Sequence, residues 1–357
     1  MTAALPSARW WTGRRVLVTG HTGFVGGWTC TWLSMMGARV SGYSLPPPTK
    51  PSYFERTGLA ARLSESIVAD VNDAPALRMA FTRCDPEVVI HLAAQPIVRD
   101  AFRDPAATFA PNVMGTVNVL DACRERPGVS RIVAYTTDKV YRNDQSGRAF
   151  REGDALGGNE PYSASKAAAD WAITAYWDSF FRREGRGVAT IRAGNIVGGG
   201  DWGRDRILPD AIRAFRARKA LVVRNPGSTR PWQHVIDVVR ATLVLAESEP
   251  AAGEAIAWNV GPDAGAVHPV GDVADAACRA WGAGAEWRHE PDAAIPESTA
   301  LVLDSSRAAR EIGWRCAWPL ERAVEASVRW YREDLAGGDM LVLTERQIES
   351  HLSELAA

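Results

Sequence analysis

The sequence predicts an α/β chain: a doubly wound parallel sheet in its first half, followed by a smaller C-terminal α/β lobe. Two observations carry this expectation. Short β-branched runs alternate with helical patterns from residue 15 to residue 197, and the texture then changes at a glycine-rich, charged connection, GGGDWGRDRILPD (198–210). A βαβα order implies right-handed crossovers that cover the sheet on both faces. Strands covered in this way read as near-continuous apolar runs. A chain of 357 residues has room for about two such units. Their expected extents are 1–197 and 198–357, with some segments of the second returning to the large sheet.

The strands are expected at RVLVTG (15–20), ARVSGYS (38–44), SIVAD (66–70), EVVIHLAA (87–94), RIVAYTT (131–137) and GVATIRAGNIV (187–197). Between them, GWTCTWLSMMG and VMGTVNVLDACRE read as amphipathic helices. The triple proline Pro46–Pro48 can continue neither a helix nor a central strand, so it marks a loop after the second strand. Past residue 210 come a helix, a strand-like ALVVRN (220–225) and a mixed alternation. Thr344 followed three residues later by Gln347 has the capping-box pattern, which predicts a final helix over ERQIESHLSEL (345–355).

Composition narrows the function. With 46% apolar and 23% charged residues and a formal net charge of -1, the chain is globular and gives no sign of a polyanionic partner, so no nucleic acid is expected. The cluster Arg213, Arg216, Arg218 and Lys219 reads as a solvated helix face. The start, MTAALPSARWWTGRR, lacks a signal-peptide pattern, and no run approaches the ~18 apolar residues of a membrane helix. The five cysteines are odd in number and widely spaced, against both a disulfide framework and a thiolate zinc site. His91, His234 and His268 lack metal-ligand spacing, so no metal is expected, and a reducing cytoplasm is the plain reading.

The first strand runs into Gly20-His21-Thr22-Gly23-Phe24-Val25-Gly26, a G-x-x-G-x-x-G turn before a helix. Glycine lets the backbone turn tightly and approach a pyrophosphate, and the helix N-terminus adds free N–H groups. Set between a buried strand and a helix, the pattern points to a dinucleotide and to a Rossmann-type sheet. The second strand ends in Tyr43-Ser44-Leu45, without the acidic residue that holds a ribose 2'-hydroxyl, so NAD and NADP both stay open. Asp70 and Val71 suit the adenine amino group, while a helix-capping role for Asp70 fits its spacing equally. Leu92, Ala93 and Ala94 lie where a fourth strand passes the nicotinamide ribose.

Tyr162 and Lys166 stand one helical turn apart and share a face. A unit charge ~4 Å from the phenol at an effective dielectric of ~20 is worth roughly 4 kcal/mol, about a thousand-fold in acidity. The expectation is a phenol brought toward neutrality as a general base.

Together these features resemble the extended short-chain dehydrogenase/reductase family over almost the whole chain. Within it, GHTGFVGGWTCTWL, GYSLPPPT, HLAAQP, TTDKVY, PYSASK, RAGNIVGGGDWGRDRILPD and RNPGSTRPWQHV resemble the CDP-glucose 4,6-dehydratase branch. The resemblance implies NAD as cofactor and a CDP-sugar as substrate, bound by the C-terminal lobe. It implies that Tyr162, with Lys166, deprotonates the hydroxyl on carbon 4 and that Thr137 hydrogen-bonds it. Asp138 would protonate the hydroxyl leaving carbon 6, which needs a carboxyl kept protonated by burial. Lys139 stands where dTDP-glucose dehydratases have glutamate; as a neutral amine it could take the proton on carbon 5. Arg230 and Asn195 match the substrate-pyrophosphate ligands, and Gln95, Arg206 and Trp232 complete the implied substrate set. For Trp232 ordinary core packing is the stronger reading. The resemblance also implies a homodimer, or a dimer of dimers, built through the helices after Gly115 and Tyr162.

Two other readings stay in view. A nucleotide-sugar epimerase would use the glycine turn, Tyr162 and Lys166 but gains nothing from Asp138 and Lys139. A non-catalytic NAD-sensing module would be free to lose Tyr162 or Lys166, and both are present.

Overall fold

The computed structural model describes residues 3–248, 256–282, 284–291 and 300–356. Seven parallel strands form the central sheet: β1 (Arg15–Thr19), β2 (Arg39–Ser44), β3 (Glu65–Val68), β4 (Val88–His91), β5 (Arg131–Tyr135), β6 (Gly187–Ala193) and β7 (Ala257–Val260). Their spatial order is β7-β6-β5-β4-β1-β2-β3, the Rossmann order extended by one strand. The order reverses between β1 and β4, whose register runs from Val16 opposite Val88 to Thr19 opposite His91. The crevice beyond the carboxyl ends of these two strands is where such sheets bind ligands.

The helices are α1 (Phe24–Met35), α2 (Ala74–Cys84), α3 (Gly115–Arg124), α4 (Pro161–Ser179), α5 (Ile207–Arg216), α6 (Val235–Glu247), α7 (Val270–Trp281), α8 (Leu320–Leu335) and α9 (Met340–Ala356). Successive strand residues point to opposite faces. Leu17, Val89, Ile132, Ala134 and Val188 therefore pack with α2, α3 and α4 through Leu77, Phe81, Val119, Leu120, Ile173 and Trp177. Val16, Val18, Ile90, Val133, Tyr135 and Ile191 pack on the other face with Trp28 and Trp32 of α1, Val235 and Val239 of α6, Trp330 of α8 and Ile348 of α9.

β7 joins the sheet beside β6, with Ala257 opposite Thr190 and Val260 opposite Ala193. α5 and α7 accompany short ladders beyond the strand ends, Leu221–Val223 with Trp287–His289 and Thr229–Arg230 with His268–Pro269. No helix among the described residues is long and apolar enough to cross a membrane, and the five cysteines are unpaired.

Four local expectations are corrected. The last helix begins at Met340, not after Thr344: the Asp339 carboxylate takes the Val342 amide at 3.0 Å, while Thr344 and Gln347 bond Trp330 and the Ala326 carbonyl of α8. α1 is not amphipathic, because every residue from Gly26 to Leu33 is buried between the sheet and the C-terminal helices. The fourth strand stops at His91, since the amides of Leu92 and Ala93 turn onto the Thr19 hydroxyl at 3.2 Å. Arg213 is solvated only in part, with its side chain 38% exposed, because its guanidinium also holds the carbonyls of Trp202 and Gly203.

Candidate active site

The glycine turn sits at the crevice. Gly20 has φ +77°, and a Cβ there would lie 2.8 Å from the Ala93 nitrogen. A Cβ on Gly26 would lie 2.2 Å from the Gly20 carbonyl oxygen. Both positions admit only hydrogen, so β1, the turn, α1 and the loop after β4 pass as close as backbones can. Gly23 caps α1 without a side-chain hydrogen bond. Thr22 bonds Ser44 and the Leu45 carbonyl at 2.9 Å, tying the turn to the end of β2, and Phe24 packs on Gly198. Tyr43 donates to the Asp70 carbonyl at 2.8 Å, and the Asp70 carboxylate takes the Asn72 amide at 2.9 Å. The cap of α2 is Asp73, not Asp70. Val71 lies against Gly115.

The TTDK stretch turns immediately after β5. The Thr137 hydroxyl donates to Asp138 Oδ1 at 2.9 Å and stands beside the Tyr162 phenol, whose ionised form it favours. Asp138 is only 3% exposed and its Oδ2 has no hydrogen-bond partner among the described residues. Burial pushes its carboxyl above the usual carboxylate range, against the opposing charges of Lys139 and Arg230. The Lys139 ammonium stands 5.9 Å from the centre of the Tyr162 ring. Arg206, 3.5 Å from Asp201, and Arg230 bring cationic charge to the same cluster, acting on Tyr162 and Asp138 respectively.

Tyr162 departs from the sequence expectation. Burial pushes its phenol up to about 12, and the Thr137 hydrogen bond and the Arg206 charge only partly oppose this. The Lys166 ammonium reaches the Tyr135 carbonyl at 2.9 Å instead of the phenol. Burial lowers Lys166 to about 8, with Asp170 opposing. The side chains of two residues of the expected substrate set, Gln95 and Trp232, are held elsewhere, while for Asn195 only the backbone is tied. The Gln95 side-chain amide is engaged on the Ile97 carbonyl of its own loop at 3.1 Å and on the Thr108 hydroxyl of the following helical segment at 2.7 Å. Trp232 is buried in the core with its indole N–H on the His268 carbonyl at 3.1 Å. Asn195 follows Gly194, where a Cβ would lie 2.4 Å from the Pro231 carbonyl oxygen, and its own carbonyl takes the Gln233 amide at 2.9 Å.

The NAD dependent epimerase/dehydratase family model matches residues 16–261. The chain belongs to that family. This family member is 39% identical over 350 residues to the CDP-glucose 4,6-dehydratase of Salmonella typhimurium, covering 96% of this chain and 97% of that one. It is 30% identical over 276 residues to the dTDP-glucose 4,6-dehydratase of Streptomyces griseus, covering 76% and 79%. The UDP-glucose 4-epimerase of Thermus thermophilus, solved as a complex with NAD, superposes with a TM-score of 0.76 at 25% identity, covering 89% and 99%.

NAD is the cofactor of this NAD-dependent family. The residues fit it: the side-chain-free cradle at Gly20 and Gly26 and the α1 N-terminus without a side-chain cap are what a pyrophosphate needs. Sequence reasoning missed the buried polar scaffold behind the site. His91 links Thr19 at 2.7 Å to Thr116 at 3.0 Å, and Asn112 links the Gln95 loop to Ser165 at 2.8 Å, which bonds the Tyr162 carbonyl. It also missed Asp170 and Arg192, a bidentate pair at 2.9 and 2.7 Å. Two signals were available: Asp170 is one turn beyond Lys166, and Arg192 interrupts an otherwise apolar strand.

Proposed function

We propose that this protein removes water from CDP-glucose to give CDP-4-keto-6-deoxyglucose, as a hydro-lyase. The observation that carries the reading is Asp138: a buried carboxyl, pushed toward its protonated form, with one oxygen unpartnered and a buried tyrosine close enough to feel its charge. Loss of hydroxide from carbon 6 requires an acid, and an epimerase has no use for one. The similarity to the Salmonella CDP-glucose dehydratase supports the same reading.

In this scheme Tyr162 acts as the phenolate, a form that the charges of Arg206, Lys166 and the nicotinamide would favour against the effect of burial, and takes the proton of the carbon 4 hydroxyl, which Thr137 holds in place. NAD, when bound, accepts hydride from carbon 4 and later returns it to carbon 6. The resulting ketone acidifies the carbon 5 proton. A base, for which Lys139 after losing a proton is the candidate, removes it while Asp138 protonates the carbon 6 oxygen, and that carbon–oxygen bond breaks to release water. The proton returns to carbon 5 as carbon 6 is reduced, so the net change is loss of one water. Gly20, Thr22, Gly23, Phe24 and Gly26 cradle the pyrophosphate of NAD, Asp70 and Val71 its adenine, and Leu92–Ala94, Tyr162 and Lys166 its nicotinamide ribose. Arg230, Asn195 and Arg206, from the lobe beginning near residue 198, face the substrate diphosphate, where planar guanidinium groups suit two negative phosphates.

We assign the protein to the cytoplasm as a homodimer. Ala164, Ala168, Trp171 and Ala175 share one face of α4 at i, i+4, i+7 and i+11, with Trp171 62% exposed and Met114 beside α3 53% exposed. A second copy seated on this face would bury them, and a monomer in equilibrium sedimentation at micromolar concentration would count against it.

Incubation with CDP-glucose, dTDP-glucose and GDP-mannose in turn, read by the alkali-induced absorbance of a 4-keto-6-deoxy product, tests the activity. Conversion of CDP-glucose is expected. Conversion of dTDP-glucose alone overturns the substrate, and epimer interconversion without loss of water overturns the reaction.

A further inference from the structure

The proposed chemistry asks two groups on different elements to work on one hexose. Tyr162 comes from the first turn of α4, and Asp138 from the turn after β5. Both ends of that turn are tied to a single buried ion pair. At its start, the Thr136 hydroxyl donates to Asp170 Oδ2 at 3.0 Å. At its far end, the Tyr141 phenol accepts from Arg192 Nη1 at 3.0 Å. Asp170 and Arg192 face each other through two hydrogen bonds, with side chains 1% and 5% exposed. Arg192 Nη1 also reaches the Glu152 carbonyl at 2.8 Å, and Tyr141 donates to Asn259 Oδ1 at 2.6 Å.

Asp170 belongs to the same helix as Tyr162 and lies one turn beyond Lys166. The pair therefore fixes the distance between the helix that carries the base and the turn that carries the acid. We propose that Asp170 and Arg192 are positioning residues for the elimination step, holding Asp138 on the carbon 6 oxygen while Tyr162 and Thr137 hold carbon 4. The inference rests on the dehydratase reading above.

A neutral core would hold a sheet and a helix together without two buried charges, which are costly to desolvate. What the guanidinium adds is direction: a planar fork with fixed donor angles engages three elements at once. The consequence is specific. Loosening the turn shifts Asp138 relative to the hexose, whereas Tyr162 stays fixed on α4, whose Lys166 ammonium remains on the Tyr135 carbonyl at 2.9 Å. Oxidation at carbon 4 should tolerate this, and water loss should not.

Removing either charge leaves the other buried and unpaired, so Asp170→Asn and Arg192→Gln test folding as much as chemistry. Thr136→Val and Tyr141→Phe, alone and combined, cut the two ties and keep the ion pair. With CDP-glucose in single turnover, transient absorbance of the reduced nicotinamide reports oxidation, and quenched samples treated with alkali, which develop the absorbance of the 4-keto-6-deoxy product, report water loss. The combined variant should form the reduced cofactor at the wild-type rate and lose water on the order of ten-fold more slowly, the scale of one lost hydrogen bond to a charged group. Arg192→Lys should behave like the combined variant, because an ammonium cannot span Asp170 and Tyr141 together. A merely structural role lowers the active fraction and leaves the partition between the two steps unchanged; that result refutes the assignment. Wild-type protein inert toward all three nucleotide sugars refutes the dehydratase reading, and this role with it.

Discussion

Asp138→Asn separates acid catalysis from everything else the residue does. The amide oxygen of asparagine can still accept from Thr137, now 2.9 Å from Oδ1, and the unpartnered Oδ2 becomes an NH2 group that occupies the same volume. Asparagine cannot transfer a proton, and hydroxide is a poor leaving group at carbon 6. General acids contribute about 10²–10⁴-fold, or roughly 3–5.5 kcal/mol of barrier, and burial of Asp138 puts it toward the upper end of that range. The variant should therefore reduce its cofactor on mixing with CDP-glucose and then stall, with slow or absent formation of the 4-keto-6-deoxy product. Stopped-flow absorbance follows the first event and quenched samples treated with alkali follow the second. Turnover within about two-fold of wild type would remove Asp138 from the mechanism, since no acid of this kind contributes so little.

Tyr162→Phe should fail one step earlier: no cofactor reduction is expected in the same stopped-flow trace, with turnover down by about 10²–10⁴-fold. Gly26→Ala places a Cβ 2.2 Å from the Gly20 carbonyl oxygen, so the cradle must open. NAD affinity, read by quenching of tryptophan fluorescence, should fall on the order of 10²-fold with an unchanged far-ultraviolet spectrum. Stability should also decline in mild acid. Burial lowers His21 and His351 to about 4, His91 to about 3 and His234 well below its usual value. The unfolded chain binds more protons than the folded one once the pH drops below about 6.5, so stability present above that value is lost as pH falls toward 4. A single histidine moved from 6.5 to about 4 accounts for about 3 kcal/mol at the acid end. The raised carboxyls of Asp138 and Glu152 oppose the trend by taking up protons in the folded state. Urea midpoints that stay level between neutrality and about pH 4.5 would contradict this account.

The sheet was readable because each buried strand announces itself locally. RVLVT, VVIH and RIVAY are apolar on both sides, and the glycines at 20 and 26, required by the loop after the neighbouring β4 and by the Gly20 carbonyl respectively, are recognisable from spacing alone. The seventh strand, AWNV, was not placed, because four residues inside a mixed stretch carry little pattern. α1 was misread for a related reason: threonine and cysteine look like a polar face until α9 is known to cover them. In the candidate site, Thr137, Asp138, Tyr162, Arg206 and Arg230 are neighbours. The state of Tyr162 was not legible, since it depends on burial by residues far along the chain and on a lysine drawn to the Tyr135 carbonyl. Gln95 illustrates the same limit: its motif is local, but the partners that occupy its amide, Thr108 and Asn112, lie in the following helical segment.

The tail helix α9 covers the cofactor-side helix. His351 rests edge-on against Trp32 of α1 and against Trp318, and Trp318 donates to Glu354 at 2.7 Å. Because α9 follows all seven sheet strands in chain order, the sheet can assemble before this lid docks, and a shortened protein ending before Met340 would leave one side of Trp32 and Trp318 as a sticky aromatic surface.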